Sequence, residues 1–195
     1  MTRFEQAIGT VSRYMARIGG FALLSAALLV AVEVTGRFTS LFMFSFGTEL
    51  SMYALAIGAT WSLAYTVIER AHVRVDVLCR RFADSLRAFC DVLAMASLFF
   101  VGCVLTYGAI GMTETSWVLS AKANTTLGTP IALPQGIWTF GLLWFTFVAA
   151  YRLVGSVKAW YRGNYAETFR IASSPSLNDE ASETIAETEE RLEKS

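Results

Sequence analysis

The sequence predicts an all-α membrane protein: four transmembrane helices with amphipathic interfacial helices, and both termini on the cytoplasmic side. Three observations predict it. First, the chain carries four separate apolar runs, each close to the ~20 residues that cross a bilayer core at about 1.5 Å per residue. Second, 54% of its 195 residues are hydrophobic and mean hydropathy is +0.47, which places it in the membrane class. Third, Lys and Arg gather on alternate connections. The leader (Arg3, Arg13, Arg17), the loop between spans two and three (Arg70, Arg74, Arg80, Arg81, Arg87) and the start of the tail (Arg152, Lys158, Arg162, Arg170) hold twelve, against Arg37 and Lys122 on the opposite connections. Cytoplasmic loops carry that excess.

The opening segment, residues 1–17, reads as an amphipathic helix. Phe4, Ile8, Val11 and Met15 repeat at helical spacing, with Arg3, Gln6, Arg13 and Arg17 on the other side, a pattern suited to the membrane interface. The first span follows at about 18–38. Its length beyond a signal core, and the want of a small-x-small site before a polar start, predict an uncleaved span. Near its far end Glu33 and Arg37 stand one turn apart. A carboxylate at depth costs a few kcal/mol and needs a partner, and Arg37 occupies the i, i+4 position that provides one.

A short aromatic connection (Phe42, Phe44, Phe46) leads to the second span at about 49–69. Ser45 or Thr48 can cap this helix, and Glu49 faces the positive end of its dipole. Ala54, Gly58 and Ser62 fall four apart, a small-residue face that lets another helix approach closely; this face and the Phe-rich third span are expected to contact a partner subunit. The chain then leaves the membrane through Glu69-Arg70-Ala71-His72-Val73-Arg74-Val75-Asp76. An interfacial helix at about 73–88 is predicted from the stripe Val75, Leu78, Phe82, Leu86 and Phe89 opposite Arg74, Arg80, Arg81 and Arg87. His72 and Asp76 share a helical turn, but two ligands are too few for a metal centre, so His72 is read as hydrogen-bonding near the end of the second span.

The third span, about 89–112, ends in a polar loop over 120–129. The fourth, about 135–155, opens after Pro134, which suits a first helical position, and carries aromatic belts with Trp138 near one end and Tyr151, Trp160, Tyr161 and Tyr165 near the other. These spans and the interfacial helix form one membrane domain, 18–158. Residues 159–195 are predicted as a polar cytoplasmic tail, disordered where Asp179, Glu180, Glu183, Glu187, Glu189 and Glu190 accumulate.

Several classes are excluded. Lys+Arg and Asp+Glu balance at 16 each, and the basic residues follow membrane topology, so no nucleic-acid partner is expected. A single histidine rules out bis-histidine haem ligation in this chain. Cys79, Cys90 and Cys103 lack ligand spacing and read as packing residues. No nucleophile–base pair, metal cluster or phosphate loop supports an enzyme; no cofactor or metal is expected.

The residues resemble a known family at this point. Arg37-Phe38 ending the first span, Thr48-Glu49-Leu50 opening the second, Gly58 within it, and the run Glu69 to Asp76 are similar to the small, DctQ-type membrane subunit of TRAP (tripartite ATP-independent periplasmic) transporters. The resemblance covers about residues 18–158. It departs at one corner, where the family often places a tryptophan and a second acid before the second span and this chain has Phe46, Gly47 and a single Glu49. The resemblance implies a multi-pass protein of the bacterial inner membrane, paired one-to-one with a large multi-span subunit that carries the sodium and substrate sites. A periplasmic binding protein would deliver an organic acid, docking in part on the outer loops at 40–47 and 117–129. The small subunit would act as a scaffold, its structural and interface candidates being Glu33, Arg37, Glu49, Gly58, His72 and Asp76, with membrane lipids around it. A competing reading is a small multidrug-type exporter, in which Glu33 acts alone as a proton-coupled site in a homodimer.

Overall fold

The structure, a computed structural model, describes residues 3–39, 46–70, 83–125 and 127–172. His72, Asp76, Cys79, residues 73–82 of the expected interfacial helix, residues 40–45 and the acidic tail from 173 lie outside the described residues.

Five helices follow in order: α1 Arg3–Phe38, α2 Gly47–Ile68, α3 Asp84–Val118, α4 Ala132–Tyr161 and the short α5 Tyr165–Ala172. The first four are long and apolar enough to cross a membrane. The leader and the first span form one continuous helix of 36 residues, about 54 Å long at 1.5 Å per residue, well beyond the ~30 Å hydrocarbon core. Residues 84–88 likewise belong to the helix of the third span. Pro134 is the third residue of α4 rather than its first; it remains in the opening turn, where a missing N–H breaks no helical bond.

Close packing runs from α1 to α2, α2 to α4 and α4 to α3. The helices therefore stand as a layer in the order α1–α2–α4–α3, with α1 and α3 at its edges. Phe21, Leu24 and Leu28 on α1, and Phe100, Tyr107 and Trp117 on α3, are exposed, as lipid- or partner-facing edges must be. Glycines set the crossings. A Cβ on Gly58 would lie 2.7 Å from Leu23 Cγ and 2.9 Å from the Gly19 carbonyl oxygen. Gly141 meets Thr60 and Trp61 in the same way, and Gly102 meets Phe145 and Thr146. Such small residues let backbones approach where lipid gives no hydrophobic drive for association. Hydroxyls finish the α3–α4 seam: Thr106 with Thr146 at 2.9 Å and Thr113 with Thr139 at 3.0 Å.

The apolar core sits toward the end of the layer that holds the arginines. Ile8, Ala64, Val67, Met95, Phe145, Val148 and Ala172 cluster there, drawn from all five helices. At this end α1 also touches α4 directly. The Phe4 and Tyr151 rings are 5.5 Å apart, and the Trp144 indole N–H donates to Ser12 Oγ at 2.9 Å. Gly163, at φ 69°, closes α4 in the left-handed conformation glycine favours. Asn164 and Glu167 then form a reciprocal cap for α5: the Glu167 N–H donates to Asn164 Oδ1 at 3.3 Å and Asn164 Nδ2 donates to Glu167 Oε2 at 3.0 Å.

Candidate functional site

Charged side chains from neighbouring helices meet both ends of α2: Glu33 of α1 at its start and Arg152 of α4 at its close. α2 begins at Gly47 with no side-chain cap from its own N-cap residue, Phe46. The first turn of a helix leaves backbone N–H groups without intrahelical partners. Here Glu33 supplies the acceptor from α1: the Gly47 N–H donates to Glu33 Oε2 at 2.8 Å, which sets a carboxylate at the positive end of the α2 dipole. The other oxygen, Oε1, accepts from Arg37 Nη2 at 2.9 Å. Glu33 is buried, whereas the Arg37 side chain is 62% exposed. A Cβ at position 47 would lie 2.0 Å from Glu33 Oε2, so glycine is the residue that admits this cap.

Glu49, 1% exposed, turns away from the α1 pair. Its Oε1 accepts from the Tyr53 hydroxyl at 2.8 Å, and its Oε2 accepts from Thr125 Oγ1. Thr125 belongs to the α3–α4 loop, which is folded on itself by bonds from Ala123 N to the Thr129 carbonyl at 2.9 Å and from Ile131 N to the Ala121 carbonyl at 3.0 Å. Glu49 thus fastens that loop to the start of α2.

The opposite end mirrors this arrangement with the opposite charge. Arg152 on α4 donates from Nη2 to the Ile68 carbonyl at 3.3 Å, a cation on the carbonyl end of α2, where the dipole favours it. Between the ends, Trp61 Nε1 donates to the Ile137 carbonyl at 3.0 Å, tying α2 to α4.

The structure therefore brings Glu33 and Arg37 together and seats Glu49 separately, on Tyr53 and Thr125. Gly58, expected to face a partner, is taken up by Gly19 and Leu23 within the chain. His72 and Asp76 are outside the described residues. Sequence reasoning missed Thr125, Arg152 and Trp61, since each acts on a helix distant in the chain. Among the described residues no group of three or more His, Cys, Asp or Glu could hold a metal ion.

Chemically, the two clamps hold helices and leave no carboxylate at α2's start with both oxygens free. Glu33 spends both on Arg37 and Gly47, which disfavours a lone proton-coupled glutamate. The exposed Arg37 contributes little to stability, because an ion pair open to solvent is worth about 0–1 kcal/mol. Arg37→Gln is therefore expected to shift thermal stability in detergent only slightly, while Glu33→Leu, which also strips the Gly47 N–H of its acceptor, is expected to cost about 1–3 kcal/mol more.

The family model described as "Tripartite ATP-independent periplasmic transporters, DctQ component" matches residues 26–159, from the middle of α1 to near the end of α4. No curated protein and no solved structure matches the chain. With over half its length matched, and with four helices able to cross a membrane, this multi-pass chain belongs to the DctQ family, the small component of TRAP transporters.

Proposed function

We propose that the chain is the scaffold subunit of a sodium-driven importer of an organic acid, working one-to-one with a large multi-span subunit and a periplasmic binding protein. The observation that carries this reading is the placement of the buried acids. Glu33, Glu49 and Asp91 are buried, and each lies within a few turns of a helix end, whereas the middles of the spans hold apolar side chains, glycines and hydroxyls bonded within the layer. A substrate route needs polar groups or broken helices at mid-membrane; a scaffold needs the opposite. The positive-inside pattern sets both termini in the cytoplasm and the Glu49–Thr125 end on the periplasmic side, in the bacterial inner membrane. The aromatic edge of α3, with Phe100, Tyr107 and Trp117 exposed, is the face proposed for the large subunit, and the loop at 117–129 for the binding protein.

Liposomes containing the large subunit, with the binding protein and a candidate organic acid outside, test this. Uptake is expected only with an inward sodium gradient and with this chain present. Uptake that proceeds equally when the chain is left out would overturn the scaffold role.

A further inference from the structure

We propose that the arginine end of the α1–α2 face holds the headgroup of an anionic phospholipid, with Arg13, Arg17 and Tyr65 as its ligands. An open hollow of about 420 Å³ is lined there by Arg13, Ala16, Arg17 and Tyr65. Arg13 and Arg17 are one helical turn apart and both exposed, so their guanidinium groups reach the same patch of surface. Tyr65 comes from the neighbouring helix and adds a hydroxyl. Among the described residues no carboxylate lies within ion-pair distance of Arg13 or Arg17. Two guanidinium groups and a phenol make a set of donors matched to a phosphate, which arginine binds through paired N–H groups.

The acids in the area line a second hollow on the other side of Arg13. That one is also about 420 Å³ and includes Glu5 and Glu69 together with Arg13, Arg70 and Arg152. The mixed charge there gives no comparable preference for an anion, whereas the Arg13–Arg17 hollow carries only positive charge.

A lipid is favoured over a free anion by what continues from the hollow along α1. Ala16 lines it, and Gly20, one turn further into the apolar span, has open space where a side chain would be. Ile18, Phe21 and Leu24 are exposed beside it. A phosphate seated on the arginines would therefore have its acyl chains running along an apolar helix face, the arrangement of basic pockets between transmembrane helices that bind anionic headgroups.

Native mass spectrometry of the full chain in mild detergent, with its co-purified partner retained, tests this. Phosphatidylglycerol, phosphatidylcholine and inorganic phosphate are titrated separately. Tighter retention of phosphatidylglycerol than of phosphatidylcholine is expected, weakened roughly fivefold for each guanidinium removed in Arg17→Gln and in Arg13→Gln/Arg17→Gln. Arg162→Gln, which removes an exposed charge at the same end, should leave retention unchanged; Arg13→Lys/Arg17→Lys should keep much of the preference. Should the double variant fail to fold, the single Arg17→Gln variant decides. Equal retention of the two lipids, an undiminished preference in Arg17→Gln, or displacement of the lipid by millimolar phosphate would overturn the proposal.

Discussion

Replacing Gly58 with leucine is expected to lower the melting temperature of the purified chain by roughly 5–10 °C and to reduce recovery of its transporter partner. The site has no room for the added atoms: even a Cβ would stand 2.9 Å from the Gly19 carbonyl oxygen, a backbone atom that cannot rotate away. Overpacking of this kind costs about 1–3 kcal/mol, and each kcal/mol moves the melting temperature of a chain this size by about 2–4 °C. The loss should be felt through the whole layer, because α1 is joined to the rest chiefly through α2. Gly108→Leu is the control, since nothing lies within 4 Å of a Cβ there. Equal melting shifts in the two variants would count against the close α1–α2 crossing.

The second large effect is expected at Glu49. Glu49→Ala removes the acceptor of both the Tyr53 and Thr125 hydroxyls. Hydrogen bonds to a charged group are worth about 1.5–3 kcal/mol each, so losing both is expected to destabilise the chain by at least the worth of one such bond, with the α3–α4 loop becoming sensitive to protease. Glu49→Gln, keeping one acceptor oxygen, should fall between the variant and the native chain. Uptake by the assembled transporter should fall in step with stability in this series. Full stability with no uptake in Glu49→Gln would instead make Glu49 a coupling group.

The parts of this molecule legible in the sequence are those set by local pattern. Four apolar runs of spanning length gave the four long helices, and the i, i+4 spacing of Glu33 and Arg37 gave their ion pair. The contacts that decide how the helices stand were not legible, because each joins residues far apart in the chain. Glu33 caps a helix that starts fourteen residues later, and Arg152 closes the same helix from 84 residues away. The small-residue face at Gly58 was visible, but spacing alone cannot say whether its occupant is another chain or, as here, α1. One local signal went unread: Asn164 and Glu167 have the three-residue spacing of a capping box, which predicts α5 within a stretch assigned to the tail. At the corner where the resemblance departs, Gly47 packs directly on the Glu33 carboxylate, and a side chain there would have to displace it.

The central claim is that this chain is a fixed layer against which its partner moves. Spin labels at Leu24 on α1 and Val104 on α3, both exposed, placed on a background with Cys79, Cys90 and Cys103 replaced, report its width by pulsed electron–electron resonance in the assembled transporter. One narrow distance, unchanged by sodium, by substrate and by the binding protein, is the predicted result. A second distance population that appears with any of them would contradict the claim and make the small subunit part of the moving machinery.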